Sequence, residues 1–169
     1  GWVEGVMQAN AFILSGMAKR CLVIGSETLS RVVDDHDRDS MIYSDGAGAT
    51  IIEATEEEGG ILAHETATYT YDEAYYLHFG NSFNKDLDPD VRYIKMHGRK
   101  IYEFALSRVP QAMKDCLDKS GVSIDDVKKI LIHQANEKMD EAIVNRFFKL
   151  YDRQTPEGIM PMSISFLGN

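Results

Sequence analysis

The residues Ile130-Leu131-Ile132-His133-Gln134-Ala135-Asn136 run apolar and then stop at a histidine. A strand that ends in His-Gln and leads into a helix sets an imidazole at the carboxyl edge of a sheet, where α/β folds build their sites. A second polar marker, Gly168-Asn169, follows another apolar run, Ile164-Ser165-Phe166-Leu167. A histidine and an asparagine at the mouths of two strands can both donate to one developing oxyanion. The histidine then donates from one ring nitrogen, and a partner on the other nitrogen fixes the tautomer. Taken singly, each residue has a plainer reading. His133 alone is a hydrogen-bonded strand-end residue, and Asn169 after a glycine is a turn residue.

The elements that would position this pair follow from periodicity. Residues 2–15 are apolar on nearly all sides, which predicts a helix buried inside a protein, stopped by Gly16. Cys21-Leu22-Val23-Ile24-Gly25 reads as a short buried strand. Asp34-Asp35-His36-Asp37-Arg38-Asp39 reads as an exposed acidic loop. Asp45-Gly46-Ala47-Gly48-Ala49 brings small residues into an alternating strand that ends at Glu53, and close backbone approach explains such glycines. The run Glu56-Glu57-Glu58-Gly59-Gly60 marks an internal boundary. Residues 61–71 read as a β-branched and aromatic strand, and 72–90 as an irregular excursion. The spacing predicts a helix over 98–119 with Ile101, Ala105 and Val109 on its inner face. Pro110 predicts a bend or break near Leu106, and Ser120-Gly121 ends the helix. A further helix with Met139, Ile143, Phe147 and Leu150 on one side follows the strand at 130–133, and 162–166 reads as the last strand. The chain is therefore of the mixed α/β class.

Composition narrows the function. The chain has 169 residues, 44% hydrophobic and 27% charged, enough for a real core. Its formal charge of −9 argues against broad nucleic-acid binding. The most apolar stretch, 6–17, is interrupted by Gln8, Asn10, Ser15 and Gly16 and is too short to span a bilayer. Gly1-Trp2-Val3-Glu4 offers no basic start for a signal peptide. Two cysteines, Cys21 and Cys116, make no disulfide framework and read as small buried hydrophobes. His36, His64, His78 and His97 have no metal-ligand spacing. A reducing cytoplasm is the default expectation. Both ends read as cut, since the chain opens inside a helical pattern and closes on a Gly-Asn turn.

Several segments, in their order, resemble β-ketoacyl-acyl carrier protein synthase III, a thiolase-fold condensing enzyme. They are Leu22-Val23-Ile24-Gly25-Ser26-Glu27 with Leu29-Ser30-Arg31, then Asp45-Gly46-Ala47-Gly48-Ala49, then 96–105 from Met96-His97-Gly98 onward, then His133-Gln134-Ala135-Asn136, and Gly168-Asn169. The resemblance implies a layered α-β-α-β-α thiolase-like fold, incomplete here. Residues 1–58 would be the end of its N-terminal half and 59–169 most of its C-terminal half. It also implies a Cys-His-Asn constellation in which His133 and Asn169 match the histidine and asparagine. The nucleophilic cysteine falls two residues before Gly1, and neither Cys21 nor Cys116 matches it, so residues 1–169 alone are expected to be inactive.

The same resemblance places Arg38 against the CoA nucleotide and Asn136 against the pantetheine arm. Gly98, Tyr102, Ala105 and Ala135 match tunnel-lining positions. Tyr102 stands where phenylalanine is usual, and Tyr43-Ser44 where Phe-Gly is usual, so primer preference stays open. Arg92, Lys95, Arg99 and Lys100 form a basic landing site for acidic acyl carrier protein. No cofactor or metal is implied; acyl-CoA and malonyl-acyl carrier protein are substrates, and the enzyme is a homodimer. Losing carbon dioxide from a malonyl thioester leaves an enolate, and two neutral donors would stabilise its oxygen without giving up a proton. Two alternatives keep their place: a related enzyme forming alkylresorcinols, quinolones or esters, and a non-catalytic unit whose apolar opening helix binds another subunit.

Overall fold

The computed structural model describes residues 1–167. Its first unit depends on glycines that leave no side chain between a helix and a strand. Helix α1 (Trp2–Leu14) lies on strand β1 (Arg20–Thr28). A Cβ on Gly5 would stand 2.8 Å from Val23 Cγ1, and one on Gly25 2.9 Å from Trp2 Cβ. A larger residue at either position forces the two elements apart. Strand β2 (Asp45–Glu53) pairs antiparallel with β1, from Arg20 opposite Glu53 through Gly25 opposite Gly48 to Thr28 opposite Asp45. Asp45 also accepts from Ser30 N at 2.9 Å and Ser30 Oγ at 2.5 Å, which fastens the turn after β1 to the start of β2.

The expectation that α1 is buried is corrected. Only Ala9 on it is buried; Val3 is 65% and Leu14 79% exposed. Leu22, Ile24 and Ile51, which alternate with α1-facing Val23 across the ladder, are exposed too. The described chain therefore presents apolar surface on both sides of this unit.

Strands β3 (Leu77–Gly80) and β4 (Tyr93–Met96) form a second antiparallel pair. β3 falls inside the stretch expected to be irregular. Ile94 N donates to Val32 O at 2.8 Å and joins this pair to the segment after β1. β4 feeds helix α2 (Gly98–Ser120), closed by Gly121 at φ +72°. α2 runs unbroken through Pro110, so of the expected bend or break the break does not occur. Helix α3 (Glu137–Lys149) supplies Val144, Phe147 and Phe148 to the main core, with Ile124 and Ile159. Met113 and Leu117 of α2 cover it.

Three expected strands are absent among the described residues. Residues 61–71 and 130–133 form no ladder, and 162–166 gives way to the short helix α4 (Ile164–Leu167). A strand persists only where a neighbour takes its backbone groups. Ile130 N instead donates to Ile159 O in a loop, at 2.9 Å, and Ser163 O accepts from both Phe166 N and Leu167 N.

Candidate active site

His133 is exposed and lies three residues before the Asn136 cap of α3. Ala135 N donates back to His133 O at 3.0 Å, so the chain turns sharply there. Asn136 Oδ1 accepts from Met139 N at 3.1 Å, which satisfies one of the free donors at the helix start. Gln134 ties this turn to the last described segment. Its Oε1 accepts from Ser163 N at 2.8 Å and Ser163 Oγ at 3.2 Å, and its Nε2 donates to Pro161 O at 3.2 Å. Ala135 then lines a cleft of about 340 Å³ with Tyr43, Ser44, Ile164 and Leu167. The partial positive charge at the α3 amino end favours any oxyanion formed beside this turn. Asn169, the expected second donor, lies outside the described residues.

Gly98, Tyr102 and Ala105 occupy one face of α2 by their spacing. Arg38 is exposed and opens the short 3-10 turn Arg38–Ile42, whose cap Asp37 accepts from Asp39 N at 3.0 Å. A Cβ on Gly98 would lie 3.9 Å from Asp39 Oδ2, so the Arg38 turn and the start of α2 adjoin.

Two expectations fail between them. The acidic stretch is not an exposed loop throughout, because Asp34 is 1% exposed. Lys95 is not part of a surface patch; it is 7% exposed and bonds Asp34 Oδ2 at 2.5 Å and Asp37 Oδ2 at 3.0 Å. Burial alone would raise the Asp34 pKa, but donation from Lys95, Phe83 N, His36 N and Ser82 outweighs it and holds the carboxyl well below its usual range. Burial likewise opposes the charged Lys95, yet the two carboxylates push its pKa up. Arg92, Arg99 and Lys100 remain exposed, with Arg99 Nε on Glu103 Oε1 at 2.8 Å.

Other features had no signal in the sequence reading. Asp140, on α3 behind the His133 turn, is 1% exposed, and neither of its carboxylate oxygens has a partner among the described residues. Burial pushes its pKa up, opposed by the nearby Asn136 N–H and by His133. The Tyr43 hydroxyl is also buried, with no hydrogen-bond partner among the described residues, and burial, then Asp39 and Asp37, pushes its pKa up. A second cleft of about 520 Å³ opens at the amino end of α1, lined by Gly1, Trp2, Gly25, Gly46 and Gly48. Cys21, on β1, points its thiol at Ala9 O (3.9 Å), and Cys116 lies within α2; both are half-buried. Among the described residues no group of three or more His, Cys, Asp or Glu could hold a metal, and no helix is long and apolar enough to cross a membrane.

Residues 1–70 match the family model described as 3-oxoacyl-[acyl-carrier-protein (ACP)] synthase III. The chain is 37% identical over 146 residues to a β-ketoacyl-[acyl-carrier-protein] synthase III of Rhizobium johnstonii, covering 82% of this chain and 44% of that protein. It is 33% identical over 170 residues to β-ketoacyl-[acyl-carrier-protein] synthase III 1 of Bacillus cereus, covering 100% and 49%. Among solved structures, the synthase III of Aquifex aeolicus superposes with a TM-score of 0.81 at 29% identity over 100% of this chain and 50% of that one. That of Thermus thermophilus gives 0.81 at 26% identity, over 100% and 51%. The chain thus has part of the thiolase-like fold of these enzymes and spans about half the length of the curated relatives it matches.

Proposed function

We propose, for a chain that is a shorter, partial β-ketoacyl-[acyl-carrier-protein] synthase III, that His133 and Asn169 serve the decarboxylative half of a Claisen condensation. In this reading an acyl-CoA primer is joined to malonyl-acyl carrier protein at the start of fatty acid synthesis. The malonyl C–C bond breaks, carbon dioxide leaves, and its electron pair becomes an enolate. His133 and Asn169 donate to the enolate oxygen, and the enolate carbon attacks an acyl thioester and expels its thiolate. The observation that carries the reading is the His133 turn. Gln134 and the Asn136 cap fix the backbone on either side of an exposed imidazole, beside a cleft shared with Ala135 and Tyr43.

Cys21 and Cys116 have no part in carrying the acyl group, since one thiol faces a helix carbonyl and the other sits mid-helix. Arg92, Arg99 and Lys100, without Lys95, form the reduced basic surface for an acidic carrier protein. The exposed Leu22, Ile24 and Ile51 support a homodimer, because such a surface favours a cover.

With neither thiol carrying an acyl group, condensation is not expected of these residues alone, but decarboxylation needs no thiol. The test is therefore release of labelled carbon dioxide from malonyl-acyl carrier protein by the 169-residue chain. His133→Ala is expected to lower the rate by about 10²-fold with the circular dichroism spectrum unchanged. Equal rates in the two proteins would sink the assignment. Acyl-CoA is expected to leave no covalent label on Cys21 or Cys116, and stoichiometric labelling of either overturns their exclusion.

A further inference from the structure

We propose that the buried Asp34–Lys95–Asp37 cluster positions Arg38 against Gly98 and so sets the affinity of the chain for the nucleotide end of a CoA thioester. The inference rests on the condensing reading above and on the resemblance that places the CoA nucleotide at Arg38, with Gly98 lining the tunnel.

One ammonium joins segments far apart in sequence. Lys95 Nζ reaches Asp34 Oδ2 and Asp37 Oδ2, and it also stands 3.9 Å from the centre of the Phe83 ring. Asp34 Oδ1 accepts from Ser82 Oγ at 2.9 Å and His36 N at 3.1 Å, and Oδ2 from Phe83 N at 2.9 Å. The carboxylate is therefore saturated with donors, as a buried charge requires. The three side chains are 1%, 8% and 13% exposed for Asp34, Lys95 and Asp37, so water does little to loosen them.

Asp37 transmits this to the ligand side. Its Oδ2 holds Lys95, while its Oδ1 caps the turn that begins at Arg38, through Asp39 N at 3.0 Å. Asp37 O also accepts from Ser40 N at 3.0 Å, and Asp37 N donates to Asp34 O at 2.8 Å. Arg38 thus leaves the backbone from a residue fixed at both carboxylate oxygens and both backbone groups. Lys95 lies three residues before Gly98 on the strand that feeds α2, so the same ammonium fixes the other end. An apolar core at this place would fill the volume but would not dictate one relative placement of the Arg38 turn and α2. Ion pairs and their hydrogen bonds are directional, and that is their use here. Lys95 and Asp37 are positioning residues, because neither is assigned a contact with the ligand.

Calorimetry on the 169-residue chain, with CoA and with pantetheine as the two probes, tests the proposal. Asp37→Asn keeps a side-chain oxygen for the turn and removes the negative charge that faces Lys95. It is expected to weaken CoA binding about tenfold and pantetheine binding less than about twofold. Lys95→Met, a second variant, should show the same split and faster amide exchange over 38–42, with α3 unchanged. Equal CoA affinity in the unaltered chain and both variants overturns the proposal, as does equal weakening of CoA and pantetheine, which is plain loss of structure. No CoA binding by the unaltered chain instead sinks the condensing reading, and this inference falls with it.

Discussion

Arg146 on α3 donates from Nη1 to the carbonyl oxygen of Leu106 on α2 at 2.8 Å. Leu106 lies four residues before Pro110, whose ring nitrogen has no proton to give that carbonyl. A guanidinium from the neighbouring helix takes the place of the missing helical donor. This accounts for an α2 that stays unbroken where the sequence predicts a bend or break, and it fastens α2 to the helix that follows the His133 turn.

The pairing makes Arg146 and Pro110 energetically coupled. Arg146→Leu is expected to cost about 1 kcal/mol in urea unfolding, the usual worth of an exposed charged hydrogen bond. In a Pro110→Ala background the backbone N–H returns to Leu106, and the same change should cost less than half as much. A double-mutant cycle reads the difference directly. If Arg146→Leu costs the same in both backgrounds, the guanidinium is not replacing the helical donor.

Gln134 fixes the candidate site more firmly than either of the residues beside it. Removing it leaves Ser163 N and Pro161 O without their side-chain partner, at a half-buried place. Gln134→Ala is expected to cost about 1–2 kcal/mol, a fall in Tm of roughly 2–4 °C for each kcal/mol in a chain of this size. Gln134→Glu keeps the oxygen that Ser163 uses and should retain most of the stability. A glutamate variant as damaged as the alanine variant would show that the Ser163 bonds contribute little.

The parts of the fold legible in the sequence are those set by local rules. Gly121 takes a left-handed φ of +72° at the end of α2, as a helix-ending glycine should. The small residues of Asp45-Gly46-Ala47-Gly48 lead into a strand, and Gly25 meets Trp2 as closely as its type allows. The apolar face of α3 was legible in Ile143 and Phe147, but Val144 and Phe148 are as deeply buried, because Ile124 and Ile159 cover a second side. What failed depends on distant partners. Residues 61–71 have strand-like composition, yet composition measures fit to a pleated surface and supplies no neighbour. Lys95 reads as one of a solvent-facing basic cluster, and Asp34, 61 positions away, with Asp37 makes its burial tolerable. Of the site, the helix that follows His133 could be read from the residues, whereas the turn at His133, the Gln134 tie and the buried Asp140 carboxyl could not.

Asp140 gives the chain a pH dependence of a definite sign. Its folded pKa is raised by burial, which outweighs the opposing pull of the Asn136 N–H and of His133. In the unfolded chain the carboxyl ionises near its ordinary value, about 3.9. Below that pH both states hold the proton and the group is neutral to stability. As pH rises past it, the unfolded state loses the proton first, so folding is progressively penalised up to the raised folded pKa. Asp140→Asn removes the titration and should be the more stable protein at neutral pH, with its advantage shrinking as pH falls toward 4. Asp34 works in the opposite sense, since its depressed pKa contributes stability above about 4 that is lost on acidification. That contribution is common to both proteins and cancels in the difference. Chemical unfolding of the pair at pH 4 and pH 7 measures it, and an advantage for Asp140→Asn that is the same at both pH values would show that the carboxyl is not held protonated by burial.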